Sequence, residues 1–307
     1  MDSLAFAIIA ITEEATLKKK KLKVQRKILR DACNPFELND QIFQRNFRLN
    51  KAAFKYVLDL LKQEYDPGVF SSSISLICRL AAVLRFLGEG GYQLGVGNDY
   101  EVGMAQSTFS SNLTNVLKAL ERRLCHLWIQ LEMTETEKRQ AKREFYSRAS
   151  FPGVIMCVDG THINIVAPSE EKGLYYNRDA GYPLELWLMT PYRSAEAESA
   201  KSNYNTRHSK TRNAVERTIG VLKNRFRCIL GARQLHYSPS KAAQIINVVC
   251  ALHNICITYR VEDYTKIILP ELEEQEVVPE NTNGEETNTR RNAAQIMRDN
   301  IKNTFVQ

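Results

Sequence analysis

Residues 153–168 read GVIMCVDGTHINIVAP, and the fold class turns on this stretch. Five apolar or soft residues, Val154 to Val158, lead into Asp159 and Gly160, after which apolar and polar residues alternate. Such a run, broken by a Gly-containing turn, predicts one or two β-strands. The flanking sequence has helical spacing instead. The expected class is therefore mixed α+β, with a helical region first and a strand-containing domain after it.

Upstream, NPFELNDQIFQRNFRLNKAAFKYVLDLLKQEY begins at Asn34 and places apolar residues at helical intervals, with Asn50 as an N-cap. An apolar helix then ends at Gly88 to Gly91; a turn around Gly103 precedes a longer helix. That rhythm fits a helix-turn-helix, whose second helix would offer Gln106, Ser107, Ser110 and Ser111 to a DNA groove, with Arg122 and Arg123 at its far end. Plain bundle packing has the same rhythm. The charged stretch TETEKRQAKREFYSRAS precedes the strand region. Downstream lie a basic helix over 203–227, a strongly apolar helix starting near Ser238, an acidic linker with Pro270 and Pro279, and a closing amphipathic helix. The expected divisions are a basic segment (1–33), the helical region (34–148), a nuclease-like domain (149–262), and the linker with the last helix (263–307).

The 307 residues carry 42 Lys and Arg against 35 Asp and Glu, a net charge of +7, which favours a polyanionic partner. A run at Lys18 to Lys27, KKKKLKVQRK, reads as a nuclear-localisation signal, a phosphate-contacting arm, or a solvated helix end. The seven cysteines are odd in number and scattered without a C-x-x-C pair, which argues against a disulfide framework or zinc ribbon and for a reducing compartment. The apolar start, Leu4 to Ile11, follows Asp2 and runs into Glu13 and Glu14, unlike a secretory signal. No stretch approaches the ~20 apolar residues of a membrane span.

Asp159 stands at the end of the apolar run, where a carboxylate suits a metal ligand, although an Asp-Gly pair is also an ordinary turn. Glu216 is the sole acid between Asn203 and Arg227, among Arg207, Lys210, Arg212, Arg217, Lys223, Arg225 and Arg227. It reads either as a ligand on a phosphate-facing helix or as an intrahelical partner of Arg212. Asp179 is a third acid, in DAGYPLELWLMTPY. His162 is placed near Asp159 as a contact to phosphate or bound water, or as a simple exposed histidine. Cys250, His253 and Cys256 have i, i+3, i+6 spacing, but their apolar helix assigns them to core packing.

The blocks NPFEL, VLRFLGEGGYQLGVG with QSTFS, CVDGTHINI, GYPLELWLMTPY, YNTRHSKTRNAVERTIGVLKNRFRCI and YSPSKAAQIINVVCALHNIC occur in this order over about residues 34 to 260. Together they resemble the Harbinger (PIF/Harbinger) transposase-derived nucleases of the DDE superfamily. The resemblance implies a helix-turn-helix region and a ribonuclease-H-like core. It also implies a D-D-E acid set that binds Mg²⁺ or Mn²⁺ and acts on DNA. Carried over by motif, the acids are Asp159, Asp179 and Glu216. DNA contacts fall on Gln106, Ser107, Ser110, Arg207, Lys210, Arg212, Arg217, Lys223 and Arg225. The implied partners are DNA and a nuclear DNA-binding protein, with no membrane. One departure stands out. Tyr176, Asn177 and Arg178 run straight into Asp179, leaving Asp159 and Asp179 only 20 residues apart, where the family has several dozen more residues with further strands. The core is therefore expected to be truncated.

Overall fold

The computed structural model describes residues 2–32, 34–64, 74–91, 103–166, 182–230, 234–262 and 285–305. Their order is almost wholly helical. α1 spans Asp2–Ala32, α2 Asp40–Phe47, α3 Lys51–Lys62, α4 Leu76–Glu89 and α5 Gln106–Leu120. After them come α6 (Glu135–Ala149), α7 (Ala200–Arg225), α8 (Pro239–Thr258) and α9 (Glu285–Asn303). The chain divides into two compact units. The first takes residues 1–130, 163–166 and 222–266; the second takes 131–162, 167–221 and 267–307.

In the first unit, local chemistry starts α2, α3, α4 and α8. The Asn39 side chain accepts from Gln41 N–H, Asn50 from Ala53 N–H, Ser75 from Cys78 N–H and Ser238 from Lys241 N–H. The Asn50 amide also donates to Tyr259 O at 3.0 Å, tying the start of α3 to the end of α8. Gly90 closes α4 at φ 66°, and a Cβ there would stand 2.6 Å from Arg227 O, so both backbone angle and space demand glycine. The apolar faces meet in one core. Phe43, Phe54, Leu61, Leu84, Leu113, Val249 and Leu252 are all fully buried. Phe43, Phe47 and Phe54 have ring centroids 4.9 to 5.6 Å apart, within range of edge-on packing. α5 runs on through a π-helical turn, Glu121–Cys125, where Gln244 and Asn247 of α8 donate to the Glu121 carboxylate at 2.7 and 3.2 Å.

α8 corrects one expectation: by length and composition it is apolar enough to cross a membrane. Its apolar residues have another destination, because Ile245, Val248, Val249, Leu252, Ile255 and Cys256 are fully buried in the core. His253 and Cys256 are buried with them, as core packing requires, and Cys250 is half-buried. α1 is different in kind. Among its described side chains, Leu17, Val24 and Ile28 are more than half exposed alongside the lysines.

The strands expected at 154–166 are not formed: no strand occurs among the described residues, only two isolated bridges. One joins Ile165 to Leu235 in the first unit, through Leu235 N–H to Asn164 O at 2.8 Å and Val166 N–H to Leu235 O at 3.2 Å. The other closes a tight turn between Glu185 and Leu188. The physical reason is that apolar alternation specifies a strand only where neighbouring backbone completes the ladder. Without it, Ile155, Met156 and Val158 stand 36, 44 and 48% exposed.

The second unit is thinner. α6 starts on a capping box in which Thr134 accepts from Glu137 N–H and the Glu137 carboxylate accepts from Thr134 N–H. Tyr204 of α7 is the centre of an aromatic group, with ring centroids 5.1 Å from Tyr192, 5.3 Å from Phe151, 6.1 Å from His208 and 6.3 Å from Phe305. α9 seals it: the Arg298 guanidinium lies 4.1 Å over the Tyr192 ring, whose hydroxyl donates to Asp299 at 2.6 Å.

Candidate active site

Asp159 lies in the irregular segment where strands were expected, and Glu216 lies four residues beyond Arg212 on α7. The second unit brings them together at that arginine. Arg212 Nη2 donates to Asp159 Oδ1 at 3.0 Å and forms an ion pair with Glu216 Oε1 at 3.1 Å. Since both oxygens lie near one nitrogen, they are at most about 6 Å apart. The side chains of Asp159 and Glu216 are 13 and 18% exposed, while that of Arg212 is 44% exposed. Asp159 Oδ1 also accepts from Gly160 N–H at 3.0 Å. The Asn213 amide, turned so that its nitrogen meets acceptors, donates to Ser209 O at 3.1 Å and to Glu216 Oε2 at 3.2 Å.

Several contacts within the same unit hold these two segments. Cys157 Sγ donates to Thr211 O at 3.5 Å, beside Asp159 in sequence. Asn205 of α7 hooks the loop after Leu188: it accepts from Tyr192 N–H at 2.8 Å and donates to Tyr192 O at 2.9 Å. His208 Nε2 donates to Met189 O at 2.9 Å. Burial, with a further push from the Arg212 charge, holds the His208 imidazole below its ordinary range against the opposing effect of that bond. This anchoring of 189–192 was not foreseen, although Tyr204 and His208 stand at visible i, i+4 spacing.

The other expected residues are distributed unequally. Asp179 lies outside the described residues, as does the join at 176–179. His162 is exposed. On α7, Lys210 and Arg217 are exposed and seven residues apart, so they share a face about a third of a turn from the one bearing Arg212 and Glu216. Arg207 lies 4.6 Å over the Phe305 ring and donates to Ser150 O at 3.4 Å. In the first unit, burial lowers the Lys223 ammonium's affinity for its proton. Arg225 is 6% exposed and donates to Val261 O at 3.5 Å, a core position that leaves little room for a phosphate. At the start of α5, Gln106 and Ser107 are exposed; Ser110 is half-buried, its carbonyl accepting from Thr114 Oγ1 at 3.0 Å. The connection at 92–102 falls outside the described residues.

No group of three His, Cys, Asp or Glu side chains able to hold a metal occurs among the described residues. Asp159 and Glu216 nevertheless converge on a single positive charge through hard oxygen atoms. That donor chemistry fits Mg²⁺ or Mn²⁺, since Mg²⁺ is commonly held by one or two carboxylates together with water and substrate phosphate.

A family profile described as DDE superfamily endonuclease matches residues 178–254, so the match includes Asp179 and Glu216 and starts directly at the join. The Xenopus laevis protein named "Putative nuclease HARBI1" is 28% identical, covering 78% of this chain and 85% of its own. The Homo sapiens protein of the same name is 27% identical over 73% and 79% of the two chains. The Arabidopsis thaliana "Protein ALP1-like" is 25% identical over 73% and 72%. The Xenopus alignment runs over 298 positions but draws on only about 239 residues here, leaving about 59 positions of the relative without a counterpart. No solved structure matches. The order of the motif blocks, the matched domain and these relatives together support the Harbinger-derived family of the DDE superfamily for this chain.

Proposed function

We propose that the chain is a divalent-metal-dependent nuclease of transposase ancestry that acts on DNA phosphodiester bonds. The observation that carries this reading is the meeting of Asp159 and Glu216 about one cationic nitrogen. Asp159, Glu216 and the sequence-matched Asp179 would hold Mg²⁺ or Mn²⁺. When bound, the ion supplies Lewis-acid neutralisation of phosphate charge. The chain's own groups do the rest: Lys210 and Arg217 offer one face of α7 to the DNA backbone, and Asn213 orients the Glu216 carboxylate from its second oxygen. Gln106, Ser107 and Ser110 are assigned to groove contact in a helix-turn-helix formed by α4 and α5, and 149–262 to a shortened ribonuclease-H-like domain. The basic run in α1 and the family's substrate class favour action in the nucleus, beside a DNA-binding partner protein.

A second reading, a catalytically inactive DNA-binding or adaptor protein, is favoured by one specific feature. Asp159 sits on irregular chain without a ladder partner among the described residues, and carboxylates displaced by ~1 Å lose much of their catalytic value. Plasmid nicking with Mn²⁺ separates the two. The nuclease reading expects nicking that Asp159→Ala and Glu216→Gln each reduce by at least about 100-fold. Failure to nick, with salt-sensitive DNA binding intact in all three proteins, overturns it in favour of the inactive binder.

A further inference from the structure

We propose that Arg212 is a resident counter-cation of the carboxylate pair, and that a divalent ion must displace it to bind. The inference rests on the metal-holding role proposed for Asp159 and Glu216 and deepens it by naming what controls occupancy. One guanidinium nitrogen serves both acids, at 3.0 and 3.1 Å. It therefore occupies the place where an ion shared by those oxygens would sit. Two cations at contact distance in a partly sheltered site repel strongly, so arginine and metal are alternatives.

The site is built for exchange. Among the described residues, the two carboxylates are the guanidinium's only hydrogen-bond and ion-pair partners. Its side chain is 44% exposed, so it can swing toward solvent without opening the core. Both acids retain a second, uncharged support when it leaves: Gly160 N–H for Asp159, and the Asn213 amide for Glu216. The charge count works in the same direction. With Arg212 in place the pair carries one net negative charge; without it, two, which a divalent ion matches. Arg212 thus lowers divalent affinity while keeping the carboxylates from repelling each other in the absence of metal.

The test is Mn²⁺ titration of the full-length chain, read by loss of the free-ion electron paramagnetic resonance signal, which needs no turnover. Arg212→Gln is expected to bind Mn²⁺ about tenfold more tightly than wild type, the order expected for losing two partly exposed ion pairs. Arg212→Lys, which keeps the charge, should stay within about threefold of wild type. Adding Glu216→Gln to Arg212→Gln should abolish the gain. Arg212→Ala repeats the measurement should the glutamine variant fail to show the wild-type helical spectrum. Equal or weaker binding by both neutral variants, with measurable wild-type binding, overturns the exchange model and leaves the metal-site reading standing. No Mn²⁺ binding by any protein in the series overturns both.

Discussion

The two units are stabilised by different physics. The first buries a continuous aliphatic and aromatic core drawn from α2, α3, α4, α5 and α8, in which most members are fully excluded from solvent. Among the described residues of the second, only Ala149, Phe151, Tyr204 and Ala294 are buried apolar residues. Its cohesion comes from rings stacked with cations: Arg298 and Tyr192, Arg207 and Phe305. An aliphatic core gains roughly in proportion to apolar area removed from water, whereas cation–π contacts contribute only about 0.5–2 kcal/mol each and depend on geometry. The paired acids lie in the second, thinner unit, beside the segment whose apolar residues are exposed. Apolar burial is thus scarce in the unit that holds the paired acids, whereas the first unit has a continuous core.

The comparison breaks most directly at Phe54. Its replacement by alanine leaves a cavity among Phe36, Phe43 and Phe47 and should cost about 3–5 kcal/mol. The chain has two tryptophans, one in each unit, with Trp128 packed on Tyr56 and donating to its hydroxyl at 3.1 Å. In a Trp187→Phe background, urea unfolding followed by Trp128 fluorescence reports the first unit alone. A loss below about 1 kcal/mol would mean that the phenylalanine cluster is not the centre of its stability.

Acidification should sharpen the contrast, because His208 belongs to the second unit. Burial lowers its affinity for a proton in the folded state, so protonation favours unfolding. This contribution is fully present above the ordinary value of 6.5 and is lost as pH falls from there through the lowered folded value. Amide exchange at 200–221 should accelerate as pH falls below about 6.5, relative to α3 and α8 and after correction for intrinsic rates. His208→Asn should flatten that dependence; an unchanged slope would remove His208 as its cause.

The smallest effect concerns Tyr204. Its ring is central, but its buried hydroxyl has no hydrogen-bond partner, and burial pushes its pKa up. Tyr204→Phe keeps the ring contacts and removes an unsatisfied group, so it should raise stability by up to about 1 kcal/mol. A loss of similar size in thermal unfolding would show that the hydroxyl is satisfied in solution.

Local rules made much of the helical fold legible. Asn50 caps α3 because a side-chain acceptor before an apolar helical repeat satisfies its first free N–H groups, and Gly90 ends α4 because few other residues take that backbone angle. Glu216 was visible as the single acid in a basic helix, but spacing left open whether it paired with Arg212 or faced a ligand. The structure gives it both Arg212 and the company of Asp159, 57 residues earlier in the chain. Residues 154–158 show the opposite outcome. Their apolar pattern is that of a strand, but strands are completed by partners elsewhere, and a pattern cannot reveal whether those partners remain.

By itself, the sequence determined most of the helices, several of their caps and the family resemblance, since each depends on residues close together or on blocks in a fixed order. Only the tertiary structure decided that the strand would stay unpaired, that Arg225 would be buried, and that Phe305 would pack with Tyr204. It also decided that one guanidinium would stand between two acids. Those outcomes depend on chain segments far apart in sequence, where burial and charge choose among partners that local propensity leaves equivalent.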